Sequence, residues 1–137
     1  MSGLGYALVC PLAYLLAGSL KFAINSALAR GPAFGRIGLG GFPSTHTAIV
    51  SAAAWLIALE GGVATPAFAV AVGVVLIVAI DAMDLRRKLE HVNTVLKAEF
   101  PRSRDAQRLR DHTSHKPIEV AGGIVVGALA AGLIGLL

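Results

Sequence analysis

Apolar residues gather in long runs along this chain, broken by short polar stretches. The first run extends from about Gly3 to Leu28 and carries one charge, Lys21, near its far end. The second starts at Pro43 or Ser44 and reaches about Leu59. The third is "PAFAVAVGVVLIVAI", Pro66 to about Ile80, and the fourth runs from about Pro117 to Leu137. A helical crossing of a bilayer takes roughly 20 apolar residues, so the pattern predicts about four transmembrane helices. Pro43, Pro66 and Pro117 each stand where a helix can begin, because the N–H that proline lacks would be unpaired in the first turn. A tight turn, "EGGVAT", separates the second and third runs, and a Gly-rich loop, Ala29 to Phe42, separates the first and second. The polar stretch from Asp81 to Lys116 opens with Leu85, Leu89, Val92 and Leu96 at helical spacing among Arg and Lys. That is an amphipathic helix, either lying in the membrane interface or packed on the protein's own loops. The predicted fold is therefore all-α. It is an integral membrane helical bundle with an amphipathic interfacial helix in the loop before the last span, forming a single domain over residues 1–137.

Composition agrees with a membrane setting. Hydrophobic residues make up 55% of the 137 residues and charged residues 15%, against about 25% charged in soluble domains, and the mean hydropathy is +0.72. Cys10 is the only cysteine, which excludes an intrachain disulfide. No basic region precedes the first run, so Met1 onward is expected to stay and span.

Charge placement predicts the topology. With four spans, the loops after the first and third share a side, and all 12 Lys and Arg lie there. Setting aside Lys21, Arg30, Arg86, Arg87 and Lys116 as candidates for chemistry, the other seven still stand against none opposite. The positive-inside bias then makes the polar loops cytoplasmic. The expected location is a bacterial inner membrane. The basic loop lacks interleaved aromatics, so its expected partners are anionic headgroups and not nucleic acid.

Three polar clusters fall on that one membrane face. Lys21 and Arg30, with Arg36 nearby, form the first. A lysine inside an apolar helix needs a partner or a route to the interface, and snorkelling is the plain alternative. The second is "GGFPSTHTA", Gly40 to Ala48. Ser44 and Thr45 sit in the first turn of a span, where free N–H groups and the helix dipole favour an anion. A serine N-cap explains Ser44 equally well, but a cap needs no imidazole, and His46 is suited to proton transfer near neutral pH. The third is divided between "DLRRK", whose Arg86 and Arg87 carry forks suited to phosphate oxygens, and "HTSHKPIEV". There His115 and Glu119 are four residues apart and share a face if helical. A carboxylate beside an imidazole fixes its tautomer and supports its positive charge; a structural pair at a helix start is the alternative. No His, Cys and carboxylate spacing is diagnostic of a metal, and neither a metal nor another cofactor is expected. Gly123 and Gly127 form a GxxxG pattern that permits close helix packing.

"GGFPSTHTA", "DAMDLRR" and "HKPIEVAGG", in this order, resemble the divergent branch of the type 2 phosphatidic acid phosphatases, the divergent PAP2 family, which is related to acid phosphatases and vanadium haloperoxidases. The likeness covers Lys21 to about Gly127. Lys21 and Arg30 match the first part of the parent signature. Pro43, Ser44, Thr45 and His46 match the second, with Thr45 where glycine is usual. Arg86 or Arg87, His115 and Glu119 match the third, with Glu119 replacing aspartate and a longer Arg-to-His interval. Asp84 stands where the divergent branch usually has glycine.

The resemblance implies a metal-independent lipid phosphatase. His115 is the nucleophile that becomes a phosphohistidine, oriented by Glu119, and His46 is the acid and base. Lys21, Arg30, Ser44, Thr45, Arg86 and Arg87 hold the phosphate. The substrate is a phosphate monoester or diphosphate of a diacylglycerol or polyprenyl lipid. A non-catalytic anion or lipid-phosphate binder or transporter is the competing expectation, and Gly-rich span faces are compatible with a homo-oligomer.

Overall fold

The computed structural model describes residues 3–32, 41–110 and 112–136. Arg36 and Gly40 lie outside the described residues. Every regular element among the described residues is helical: α1 (Gly3–Ala29), α2 (Thr45–Gly61), α3 (Pro66–Ile80), a π turn (Asp81–Leu85), α4 (Arg86–Glu99), the short α5 (Arg104–Gln107) and α6 (Pro117–Gly135). Among the described residues three helices are long and apolar enough to cross a membrane: Gly3–Ala29, Pro66–Glu99 and Pro117–Gly135. α2 has 17 residues and is apolar, but shorter.

Local chemistry sets these boundaries. Ser44 caps α2, its hydroxyl accepting from the Thr47 N–H. Gly62, at φ 77, ends that helix with its N–H on the Ala58 carbonyl; a positive φ is one that glycine adopts at no steric cost. Thr65 caps α3 through the Phe68 N–H, and Pro66 and Pro117 sit in the first turns of α3 and α6. At the end of α1, Gly31 N–H donates to Ser26 O and Arg30 N–H to Ala27 O. This is a Schellman arrangement with Arg30, at φ 53, in the left-handed position that glycine usually takes.

α1, α2 and α6 pack together through small residues. The core joins Val9, Ala13, Ala52, Leu56, Ala130, Ala131 and Ile134, and a second cluster joins Ala17, Ala48 and Val126. The GxxxG pattern is used. A Cβ on Gly123 would lie 2.5 Å from the Ser44 carbonyl oxygen, and one on Gly127 would lie 2.7 Å from the Ala52 nitrogen. Without a solvent-driven hydrophobic effect between helices in lipid, such backbone contact is a main source of association. α3 lies outside this trio against α2 and buries only Ala79.

α3, the π turn and α4 form one continuous helix of 34 residues. No glycine or proline stands between Ile80 and Arg86, so nothing breaks the helix where the apolar run ends. The predicted amphipathic helix exists, but as an extension of the third apolar helix. Leu85, Leu89, Val92 and Leu96 are all exposed on it.

Candidate active site

The site forms where the first turns of α2 and α6 meet the π turn, beside Lys21 of α1. In α1 the buried residues are Gly5, Val9, Ala13, Ala17 and Lys21. They recur every fourth position, so Lys21 continues the ridge that packs against the bundle. Lys21 is only 8% exposed: its side chain turns into the protein and does not snorkel outward.

The ends of α2 and α6 are tied by the Ser44 N–H, which donates to the Glu119 carbonyl at 2.8 Å. Ser44 is fully buried, and its hydroxyl lies 2.9 Å from Thr47 Oγ1 as well as capping the helix. The cap is therefore real, and the Ser44 side chain is engaged inside the protein. Thr45 opens α2 and is half-buried, and His46 follows it with an exposed ring. By helix geometry the N–H groups of these two residues have no carbonyl within α2.

His115 precedes α6 in a segment without regular secondary structure. Its backbone N–H donates to the Ala82 carbonyl of the π turn at 2.9 Å. Its Nδ1 lies 2.8 Å from Glu119 Oε2, which also accepts from the Lys116 N–H at 3.1 Å. Glu119 thus caps the start of α6 and holds the His115 imidazole. An ionised carboxylate only accepts, so Nδ1 carries the proton and Nε2 keeps its lone pair. The residue is 7% exposed. Burial pushes the His115 imidazole below its usual range, with the Glu119 hydrogen bond opposing, so the ring is neutral near pH 7.

The charges of the motifs act on one another. Lys21 feels Glu119 and Arg86; His46 feels Arg86, His115, Lys21 and Asp81; His115 feels Glu119, Lys21 and Arg86. Segments far apart in sequence thus bring two imidazoles, an ammonium and a guanidinium to one place. The two arginines separate. Arg86 is 25% exposed at its side chain and its Nε donates to Asp81 Oδ2 at 3.0 Å, whereas Arg87 is 75% exposed and pairs at 3.7 Å with Asp84. Asp84 also binds Lys88 at 2.7 Å. Arg30 is exposed at the far end of α1, nine residues beyond Lys21, about 13 Å along a helix. Among the described residues no three His, Cys, Asp or Glu side chains gather as a metal site would require.

Sequence reasoning missed Glu90 and Asn93. The Glu90 carboxylate accepts from the Thr113 N–H, from the Ser114 N–H at 2.6 Å and from the Ser114 hydroxyl at 2.7 Å. Asn93 Nδ2 donates to the Arg110 carbonyl at 2.9 Å. Their spacing of three on α4 marks one polar face, but the partner is irregular backbone, which carries no periodic signal.

The chain is 31% identical over 106 residues, 66% of its length and 67% of the relative's, to an uncharacterized membrane protein, YuiD, of Bacillus subtilis (strain 168). No solved structure matches it. The profile of the divergent PAP2 family matches residues 5–130. That span takes in Lys21, the "PSTH" turn, Arg86 and the His115–Glu119 pair, and the chain belongs to the divergent PAP2 family.

Proposed function

We propose that this protein is a membrane-embedded lipid phosphatase working through a phosphohistidine. The observation that carries the reading is the buried His115, whose Nδ1 is held by Glu119 at 2.8 Å while the Lys21 and Arg86 charges act both on this ring and on His46. That geometry leaves Nε2 as a neutral nucleophile among cations.

In the first step the Nε2 lone pair attacks phosphorus, the bond from phosphorus to the lipid oxygen breaks, and His46, protonated once the anionic phosphate is bound beside it, gives its proton to that oxygen. Glu119 supports the positive charge that develops on His115. Lys21, Arg86 and the N–H groups of Thr45 and His46 stabilise the equatorial oxygens as charge shifts. Water then attacks the phosphohistidine, neutral His46 takes the water's proton, the N–P bond breaks and phosphate leaves. Ser44 contributes through its hydroxyl cap on α2 and its backbone bond to Glu119 rather than through a hydroxyl contact with phosphate. Arg30 and Arg87 stand further out, as attractors of anionic headgroups.

α2 crosses beside α1 and α6 as a fourth span, its 17 residues covering about 25 Å. The polar segments and the site then face the cytoplasm of a bacterial cell. α4 runs from the third span into the interface, with Leu85, Leu89, Val92 and Leu96 toward acyl chains. A cavity of about 170 Å³ between α2, α3 and α6, lined by Trp55, Phe68, Val72, Val75 and Ile124 among others, supports a lipid substrate. Ile124 lies seven residues into α6, about 10 Å below the site along the helix, a depth that a lipid chain reaches when its headgroup sits at His115.

The reading is tested by phosphate release from phosphatidic acid and from a polyprenyl diphosphate, using purified protein in detergent micelles. Arg86→Gln is expected to lower kcat/KM on the order of 10²-fold, as loss of one transition-state donor does. Arg87→Gln is expected to stay within about threefold, since exposed pairs contribute little. Equal losses at both positions would contradict the assignment of Arg86. The engagement of the Ser44 hydroxyl favours one second reading, a lipid-phosphate binder without turnover. Tight binding of both lipids with no phosphate release would select it.

A further inference from the structure

The segment that carries His115 has no secondary structure of its own, yet it is fastened along one helix face. The Ala82 carbonyl holds the His115 N–H, the Glu90 carboxylate holds Thr113 and Ser114, and the Asn93 amide holds the Arg110 carbonyl. In a regular α-helix, residues eight apart stand about 80° out of register. Ala82 lies in the π turn, in which the Arg86 N–H reaches back to the Asp81 carbonyl before α4 carries on to Glu90. The turn's extra residue makes eight positions equivalent to seven, about 20° from two full turns. Ala82 and Glu90 thereby share a face and grip successive residues of one irregular segment. The same turn places Asp81 beside Arg86 at 3.0 Å.

We propose that Glu90 is a positioning residue for His115. Its carboxylate clamps Thr113 and Ser114 to α4 and so holds the nucleophile's backbone over the π turn, with Glu119 fixing the ring from the other side. Backbone N–H groups give a charged acceptor its strongest bonds, and both carboxylate oxygens are engaged. Glu90 does not touch the substrate; it acts through the placement of His115. A displacement on the order of 1 Å at a reacting group costs about 10²-fold in rate.

The proposal rests on the phosphatase reading only for its kinetic arm. The full chain in detergent micelles is compared as wild type, Glu90→Ala and Glu90→Gln. Glu90→Ala is expected to lose about tenfold or more of the amide-exchange protection at Thr113, Ser114 and His115. With phosphatidic acid, kcat is expected to fall about 10- to 100-fold while KM stays within about threefold. The thermal midpoint stays within a few degrees, because the α1–α2–α6 core is untouched. Glu90→Gln keeps an amide oxygen as acceptor and is expected to restore protection and kcat to within about threefold of wild type. Unchanged protection in Glu90→Ala would overturn the proposal, as would a kcat loss that merely tracks the unfolded fraction. If wild type releases no phosphate, the exchange arm alone decides: lost protection at the three amides sustains the clamp while the phosphatase reading falls.

Discussion

His115→Asn is expected to abolish phosphate release, by on the order of 10³-fold or more, while leaving lipid-phosphate binding within about threefold. Asparagine at this position retains a polar side chain near Glu119 but has no nitrogen lone pair able to attack phosphorus. The cations that hold the ground-state phosphate, Lys21 and Arg86, are untouched. Malachite-green detection of phosphate, paired with a vesicle-binding assay, separates the two effects. His115 is buried and bonded to Glu119 at 2.8 Å, so folding is checked in the same samples by thermal midpoint. Residual turnover near the wild-type rate in a folded variant would exclude His115 as the nucleophile.

Gly123→Val is expected to produce the largest structural effect. A Cβ at Gly123 would lie 2.5 Å from the Ser44 carbonyl oxygen, 2.9 Å from Thr47 Cβ and 3.1 Å from the Ala48 nitrogen. Two of those neighbours are backbone, so a rotamer change cannot relieve the clash. α2 and α6 must move apart, at a cost of about 1–3 kcal/mol or more. The separation would also strain the Ser44 N–H bond to the Glu119 carbonyl and move His46 away from His115. Thermal unfolding in detergent should show a midpoint several degrees lower, with activity lost in the protein that remains folded. By contrast Gly132→Val should be tolerated, since nothing lies within 4 Å of a Cβ there. Equal midpoints for the two variants would contradict the close α2–α6 contact.

The features legible in the sequence are those set by short-range chemistry. Pro66 and Pro117 start helices because proline suits a first turn, and Ser44 caps α2 because its hydroxyl reaches the Thr47 N–H. His115 and Glu119 form a pair because residues four apart meet in one helical turn. The features that depend on register were not legible. Arg86 and Arg87 are adjacent and chemically alike, and only the π turn decides which of them stands beside Asp81. Lys21 looked able to snorkel, because its burial follows from where α2 and α6 pack on the ridge running from Gly5 through Ala17. The extension of α3 into α4 is visible in retrospect as the absence of any helix breaker near Asp81. Glu90 and Asn93 had no signal, because their partners are backbone groups of a segment without periodicity.

The membrane reading and the site are linked by the same packing. Small residues along α2 and α6 let the two backbones touch, and that contact ties the first turn that carries His46 to the first turn that follows His115. The central claim is that one oxyanion is shared by His46, His115, Lys21 and Arg86. It is tested most directly by a structure of the protein soaked with orthovanadate, which mimics the five-coordinate phosphoryl transition state. The account predicts vanadium bonded to His115 Nε2, with Lys21 and Arg86 on its equatorial oxygens and His46 at the apical one. Vanadate bound away from His115, or held by His115 with His46 out of hydrogen-bond reach, would contradict it.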